Sequence, residues 1–594
     1  MNSLTQYLKE VFFLLGEEKK KFPFLIFLFL ISSFLDLLGI GLLAPFIAYV
    51  ISPDINQSSQ YLSFLSYFNL DQTTDGLILV LAPALIILFS FKALLAILVN
   101  KQILKFCFNK GVQIRSILTE KYQNMPYTEF VERNSSEYIY SIFNLSGQFS
   151  GTILSALLKL LSELIVVSVI VIFLAVQSWQ AIVILISILL IAGLFYDLFF
   201  KRKVSTYGAM ANQKNTRMVQ GINEAVLGLK EIRVLGKENY FHRQVYETSK
   251  ASAEVTMNSV LISVIPRYLI EMILVFFILS LVLVDTIFSL EIDNFLFLLS
   301  LFGVAAIRLA PSANFIVSSI TQIRFGRNCV RLLYSDLNPA VDIRREDLIP
   351  TNHENLKDEF KDLILDNVSF SYENGKKALD GISLVVKKGS SIGLIGESGS
   401  GKTTLAEIIL GLITPQEGNI LLNGINLENN KKALRSLVAY LPQEIFLVDG
   451  TLKENIALGE DLLEIREEDV RKAIVKSSLE NFVNELPNGI DTLIGERGAR
   501  ISGGQRQRVA LARAFYHERS VLVMDESTSA LDDKTEEEII RSISSLKGDT
   551  TTIIIAHRVS TLANCDLIIK MHEGKIIEQG SYKEIIGKGS LDVQ

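Results

Sequence analysis

Gly396-Glu397-Ser398-Gly399-Ser400-Gly401-Lys402-Thr403 follows the apolar run Ile392 to Ile395 and decides how the C-terminal part of the chain is read. A strand, a glycine-rich turn and a helix are predicted in that order, the geometry of a P-loop. Glycines let backbone N–H groups close around phosphates, Lys402 neutralises β- and γ-phosphate charge, and the Thr403 hydroxyl is placed to ligate Mg2+. Thr404 continues the first helical turn, whose positive end adds to the anion site.

Downstream the chain spells Ile501-Ser502-Gly503-Gly504-Gln505 and then Val521-Leu522-Val523-Met524-Asp525-Glu526. P-loop enzymes in general lack the first of these strings, and the ATP-binding cassette (ABC) proteins are defined by it. The chain therefore resembles an ABC exporter. Further elements of that family follow in its order: Tyr372 ahead of the P-loop, Gln443 in Leu441-Pro442-Gln443, Ser529-Ala530-Leu531-Asp532 after Glu526, and His557 in Ala556-His557-Arg558. Ile501 stands where the family usually has Leu and keeps an apolar contact.

The resemblance implies a role for each. Tyr372 offers a ring on which adenine stacks, and Asp525 holds Mg2+ through water, together with Thr403 and Gln443. Glu526 polarises the attacking water as general base, and His557 contacts the γ-phosphate. Ser502, Gly503, Gly504, Gln505 and Asp532 act on ATP held by a second subunit. One cassette per chain thus implies a dimer, and intact motifs imply a homodimer. The other histidines, His242, His353, His517 and His572, read as surface or structural groups.

At 594 residues, with 49% hydrophobic content and a positive mean hydropathy of +0.34, the chain is too apolar for a soluble protein of two to four domains. Six transmembrane helices are expected near 22–50, 78–103, 152–176, 180–200, 259–285 and 294–320, each long enough for about 30 Å of hydrocarbon. The fold class expected is a membrane α-helical bundle of the type I exporter kind fused to an α/β P-loop nucleotide-binding domain. The expected boundaries are a transmembrane domain at 1–335, a linker at 336–358 and the cassette at 359–594.

Lys and Arg are absent from the connections 51–77, 177–179 and 286–293 and abundant in 104–151 and 201–258. That asymmetry puts the basic segments, the cassette and both termini in the cytoplasm, and the resemblance implies a bacterial inner membrane. Coupling tips are expected near Met125–Glu137 and Leu227–Tyr246, and Leu493 replaces an acidic residue usual in the exporter loop at 492–498. The apolar external stretch 58–70 suits an interfacial element.

A net charge of −6 and a pI near 5.7 give no basic field for nucleic acid. Cys107, Cys329 and Cys565 lack metal-ligand spacing and imply no disulfide.

Charges inside the expected spans bear on cargo. Arg267 and Glu271, and Lys159 and Glu163, have the i,i+4 spacing of same-helix pairs. Lys92 and Arg308 have no partner at that spacing, and unpaired cations in hydrocarbon cost about 2.5 to 3.5 kcal/mol each. Lys92, Arg267 and Arg308 are therefore candidates to meet an anionic group such as a diphosphate in a wet cavity. Ile265-Pro266-Arg267, Phe91-Lys92-Ala93 and Arg308-Leu309-Ala310-Pro311 resemble membrane segments of the PglK-like flippases. That resemblance implies ATP-driven flipping of a polyprenyl-diphosphate-linked oligosaccharide among membrane lipids. A lipid A-like or multidrug cargo is the alternative, with a peptide exporter or an ATP-gated, non-transporting ABC protein behind it.

Overall fold

A computed structural model describes residues 2–51, 74–177, 179–288, 295–338, 360–372, 375–427, 431–495, 498, 500–525, 541, 547–548, 550–556 and 558–586. The external stretch 58–70 and most of the expected linker lie outside them. Two compact units emerge: Met1–Met125 with Val131–Asp342, and Ile343–Gln594 with Pro126–Phe130.

In the first unit six long helices carry the apolar runs: α2 (Phe22–Ile51), α3 (Thr74–Asn124), α4 (Ser155–Gln177), α5 (Trp179–Leu227), α6 (Glu238–Phe288) and α7 (Phe295–Phe325). Among the described residues, five helices are long and apolar enough to cross a membrane. The remaining one, α5, opens with the charge-free run 179–196, apolar apart from Gln180 and Ser187. Helices of 49 to 51 residues, as α3, α5 and α6 are, reach about 75 Å, so each continues well past a hydrocarbon layer of about 30 Å. Pro83, Pro266 and Pro311 sit inside them, as membrane helices tolerate. Many Ile, Leu and Phe side chains on these helices face outward, among them Ile86, Ile87, Ile97, Leu198 and Phe276.

Ahead of these, α1 (Asn2–Leu15) is an amphipathic helix outside the six expected spans. It buries Tyr7, Val11 and Leu14 and exposes Leu8, Phe12 and Phe13. Behind them, α8 (Arg327–Leu337) ties the ends of the helices together through Asp336. That carboxylate accepts from Tyr122 Oη at 2.6 Å, Arg133 Nη1 at 3.1 Å and Ser141 Oγ at 3.1 Å. Short helices Tyr127–Glu132 and Leu229–Val234 occupy the two expected coupling tips.

The second unit is α/β. A four-stranded antiparallel sheet has the order β2-β1-β4-β5, from β1 (Asp362–Ser371), β2 (Lys377–Lys387), β4 (Glu417–Leu422) and β5 (Ile425–Asn426). A six-stranded sheet has the order β10-β9-β3-β8-β7-β6, from β3 (Ser391–Gly396), β6 (Val438–Leu441), β7 (Val521–Asp525), β8 (Thr551–Ile555), β9 (Leu567–His572) and β10 (Lys575–Gly580). Strands β3, β6, β7, β8 and β9 run parallel, and β10 closes the edge antiparallel. β7 and β8 are buried on both faces, which is why their sequences read as unbroken apolar or β-branched runs rather than alternating ones. Leu405, Ile408 and Ile409 of α9 (Lys402–Ile409) share one core with Leu365, Leu379 and Val386 of the small sheet and Leu394 and Val523 of the large one. A separate helical cluster joins α10 (Leu452–Ile456), α11 (Glu467–Lys476) and α12 (Gly503–Tyr516).

Candidate nucleotide site and membrane charge cluster

The ends of β3, β6 and β7 point to one edge of the parallel sheet, and α9 starts there. In open α/β sheets that carboxyl edge is where ligands bind. Gly396 has φ 152° and Gly401 φ 101°, the second capping α9 in a left-handed conformation. A Cβ on Gly401 would lie 2.6 Å from the Ala378 carbonyl oxygen and 3.0 Å from Leu379 Cδ2. Around Gly399 no atom lies within 4 Å of such a Cβ, so the loop opens outward over that residue. Ser398 is exposed beside it, as is Glu397.

Lys402 is buried, and its Nζ donates to the carbonyl oxygens of Gly396 at 2.7 Å and Glu397 at 2.9 Å. Its ammonium is thus held over the loop, while the Ser400 hydroxyl is buried without a hydrogen-bond partner. A cradle lined by an orphaned hydroxyl, an oriented cation and a helix N-terminus fits phosphate oxygens. Thr403 is exposed at the same end, with Gln443 exposed beyond β6 and Asp525 closing β7. These hard oxygen donors suit Mg2+.

Gly401→Ala places a Cβ against backbone in a left-handed residue, which costs about 1–3 kcal/mol. ATP affinity measured by calorimetry is expected to fall tenfold or more, and unchanged affinity would show that the cradle accommodates the side chain.

Tyr372 leaves β1 beside α9. Its ring packs edge-on against Phe370, with centroids 5.1 Å apart, and its hydroxyl lies 3.1 Å from Thr404 Oγ1 and 3.4 Å from Glu407 Oε2. On the other side, Tyr440 of β6 donates its hydroxyl to Asp525 Oδ2 at 3.3 Å. Burial, and then the Asp525 carboxylate, push the Tyr440 pKa well above the ordinary tyrosine range. Burial likewise raises the carboxyl of Glu407. Thr404, Glu407 and Tyr440 escape motif reading in these roles, although Thr404 and Glu407 at i,i+3 share a helix face and Tyr440 pairs in register with Val523, two residues before Asp525.

The Ser502 side chain caps α12. Gln505 N donates to Ser502 Oγ at 3.2 Å and Ser502 N to Gln505 Oε1 at 2.8 Å, a reciprocal capping box. Gly503 and Gly504 form the first turn, so two side chains of the signature string build a helix N-terminus. Ile501 is buried with Leu447, Leu452 and Ile494. Arg513, farther along α12, donates to Phe446 O at 3.1 Å and Asn455 O at 3.0 Å. The amide of fully buried Asn455 bridges both backbone groups of Val448. The loop that starts at Gln443 is in this way tied to the signature helix. Leu493 is exposed. Glu526, Asp532 and His557 lie outside the described residues.

In the membrane unit, four helices bring charges together. Asp36 of α2 is 2% exposed; its Oδ1 lies 2.6 Å from Lys92 Nζ of α3 and its Oδ2 3.0 Å from Arg308 Nη2 of α7. Arg308 Nη1 reaches Glu163 Oε2 of α4 at 3.4 Å and donates to Ser312 Oγ at 2.6 Å. Lys92 and Arg308, without partners by spacing, are thus paired from other helices. Glu163, expected beside Lys159, faces Arg308 instead. Arg267 is not part of this cluster: it pairs with Glu271 at 3.0 Å as its spacing suggests, with more than half of its side chain exposed.

Comparison with known proteins matches residues 379–529 to the family model described as ABC transporter. An ATP-dependent lipid A-core flippase 2 of Colwellia psychrerythraea is 30% identical over 80% of this chain and 80% of its own length. An ATP-dependent lipid A-core flippase of Francisella tularensis is 29% identical over 81% of this chain and 78% of its own. Among solved structures, a bacterial Atm1-family ABC exporter with ATP bound is similar with a TM-score of 0.78 and 21% identity, covering 97% of both chains.

Proposed function

Since this chain belongs to the ABC transporters as an exporter-type half-transporter whose cassette hydrolyses ATP, we propose that it flips an anionic lipid, specifically a polyprenyl-diphosphate-linked oligosaccharide, between leaflets of the bacterial inner membrane. Movement is from the cytoplasmic to the outer leaflet, with the cassette and both termini cytoplasmic. Two identical copies work together, the Ser502–Gln505 helix end and Asp532 of each facing ATP on the P-loop of the other.

The proposed roles rest on the motifs and, for the described residues, on where these stand. Lys402 and the Gly396–Thr404 segment hold the phosphates, Tyr372 receives adenine, and Thr403, Gln443 and Asp525 hold Mg2+. When bound, Mg2+ supplies neutralisation of phosphate charge. Glu526 accepts a proton from the attacking water as its oxygen bonds to the γ-phosphorus and the bond to the bridging oxygen breaks. His557 donates to the γ-phosphate, and ADP and phosphate leave.

One observation favours a lipid with a charged head above all. Helices α4 and α7, which supply Glu163 and Arg308, also line an apolar cavity of about 360 Å3 with α5 and α6, walled by Leu189, Tyr196, Pro266, Ile270, Leu309 and Ala313. Cationic groups and a hydrocarbon-lined cavity on the same helices suit a phosphorylated head and an apolar tail. Lys92, Arg267 and Arg308 are proposed to receive the phosphates, Lys92 and Arg308 by exchanging Asp36 and Glu163 for them. The lipid A-core relatives favour a second reading, an acylated saccharide lipid.

Reconstitution into proteoliposomes with labelled lipid-linked oligosaccharide and a leaflet-specific probe tests this. Expected is ATP-dependent transfer, slowed more strongly than ATPase activity by Arg267→Ala. Transfer of lipid A-core alone would establish the second reading, and transfer of neither lipid would overturn both.

A further inference from the structure

We propose that Glu407 is a positioning residue for the nucleobase: with Thr404 it tethers the Tyr372 hydroxyl and fixes the ring as a preformed stacking platform. The inference rests on the reading that Tyr372 receives adenine, and it adds residues outside the P-loop string to that site.

The geometry is a short relay. A phenolic oxygen has one proton to give, and a carboxylate is the stronger acceptor, so Tyr372 donates to Glu407 Oε2 while Thr404 donates to the tyrosine oxygen. Phe370, buried in the core, supports the ring edge-on, and Tyr372 stays 40% exposed. Three points therefore fix a side chain that would otherwise lose the freedom of two torsions when a base settles on it. Two of them lie on α9, the helix whose N-terminus faces the phosphates, so the relay also sets the spacing between base platform and phosphate cradle.

Charge makes the presence of Glu407 informative. Its carboxyl is half-buried, raised first by desolvation and also by Asp525, on the second turn of a helix that receives a polyanion. On electrostatics alone a carboxylate there opposes ATP. Its removal should then tighten binding. The tether predicts the opposite sign.

The test uses the full-length protein in lipid nanodiscs, with ATP binding followed by calorimetry in EDTA so that no turnover occurs. Glu407→Ala is expected to bind ATP roughly three- to tenfold more weakly, the cost of immobilising one side chain on binding. Glu407→Gln, whose amide oxygen still accepts, should stay near the parent affinity. Tyr372→Phe should lose about as much as Glu407→Ala, and Glu407→Ala should cost nothing further in the Tyr372→Phe background. Equal or tighter binding by Glu407→Ala, or the same loss with and without the tyrosine hydroxyl, would overturn the tether. Tyr372→Ala separates the two ideas: full affinity in that variant would remove the adenine platform itself, whereas a loss there with Tyr372→Phe unchanged removes only the tether.

Discussion

Glu526→Gln stops ATP turnover while ATP binding persists. The amide keeps the volume of the carboxylate but has no basic oxygen to take the proton of the attacking water, and general-base catalysis contributes about 10²- to 10⁴-fold. Binding is proposed to rest on other groups, namely the Gly396–Gly401 cradle, Lys402 held over it and, from a second copy, the capped end of α12. Phosphate release and equilibrium ATP binding, measured on the same preparation, are therefore expected to separate. Asp525→Asn should behave differently, because it perturbs Mg2+ rather than the proton: raising Mg2+ should recover part of its activity and none of that of Glu526→Gln. Unchanged hydrolysis in Glu526→Gln would reject its assignment as base.

Asp36→Asn is expected to produce the largest loss of stability. The cluster of Lys92, Arg308, Asp36 and Glu163 holds two cations and two anions, and its centre is an aspartate 2% exposed. Neutralising that aspartate leaves two cations facing one carboxylate inside apolar helices. Breaking a buried pair costs about 3–5 kcal/mol because the remaining charge is uncompensated. Thermal unfolding in nanodiscs should show a clearly lowered midpoint, with glycan-lipid transfer lost alongside. Asp36→Asn combined with Lys92→Gln restores one cation to one anion, so it should recover much of the midpoint. A parental midpoint in Asp36→Asn, or no recovery in the pair, would mean that the cluster does not hold α2, α3, α4 and α7 together.

The nucleotide site was legible wherever its chemistry is contiguous. A P-loop is a strand, a turn and a helix within a dozen residues, and its conformation depends on glycines at positions such as 401, where a side chain meets backbone. The capping box of Ser502 and Gln505 is equally local. Apolar runs long enough for hydrocarbon fixed the long helices, since a backbone in lipid must satisfy its own hydrogen bonds. Even the departure at Ile501 could be judged from the string, because an apolar residue was all the helical cluster needed.

Partners brought together by packing were not legible. Asp36 and Arg308 are 272 positions apart, Tyr440 and Asp525 are 85 apart, and Tyr372 meets Glu407 over 35. Spacing along one helix found Arg267 with Glu271 and wrongly offered Lys159 to Glu163, since the i,i+4 rule compares only neighbours on one cylinder. In hydrocarbon a charge takes the best counter-charge that any adjacent helix presents, and which helices are adjacent follows from side-chain packing over the whole bundle. The sequence by itself therefore determined the ATP chemistry and the membrane-helical architecture, both carried by local backbone geometry and segment hydrophobicity. Only the tertiary structure decided which charges neutralise one another and what holds the Tyr372 ring, because those depend on distances between elements that no spacing in the chain encodes.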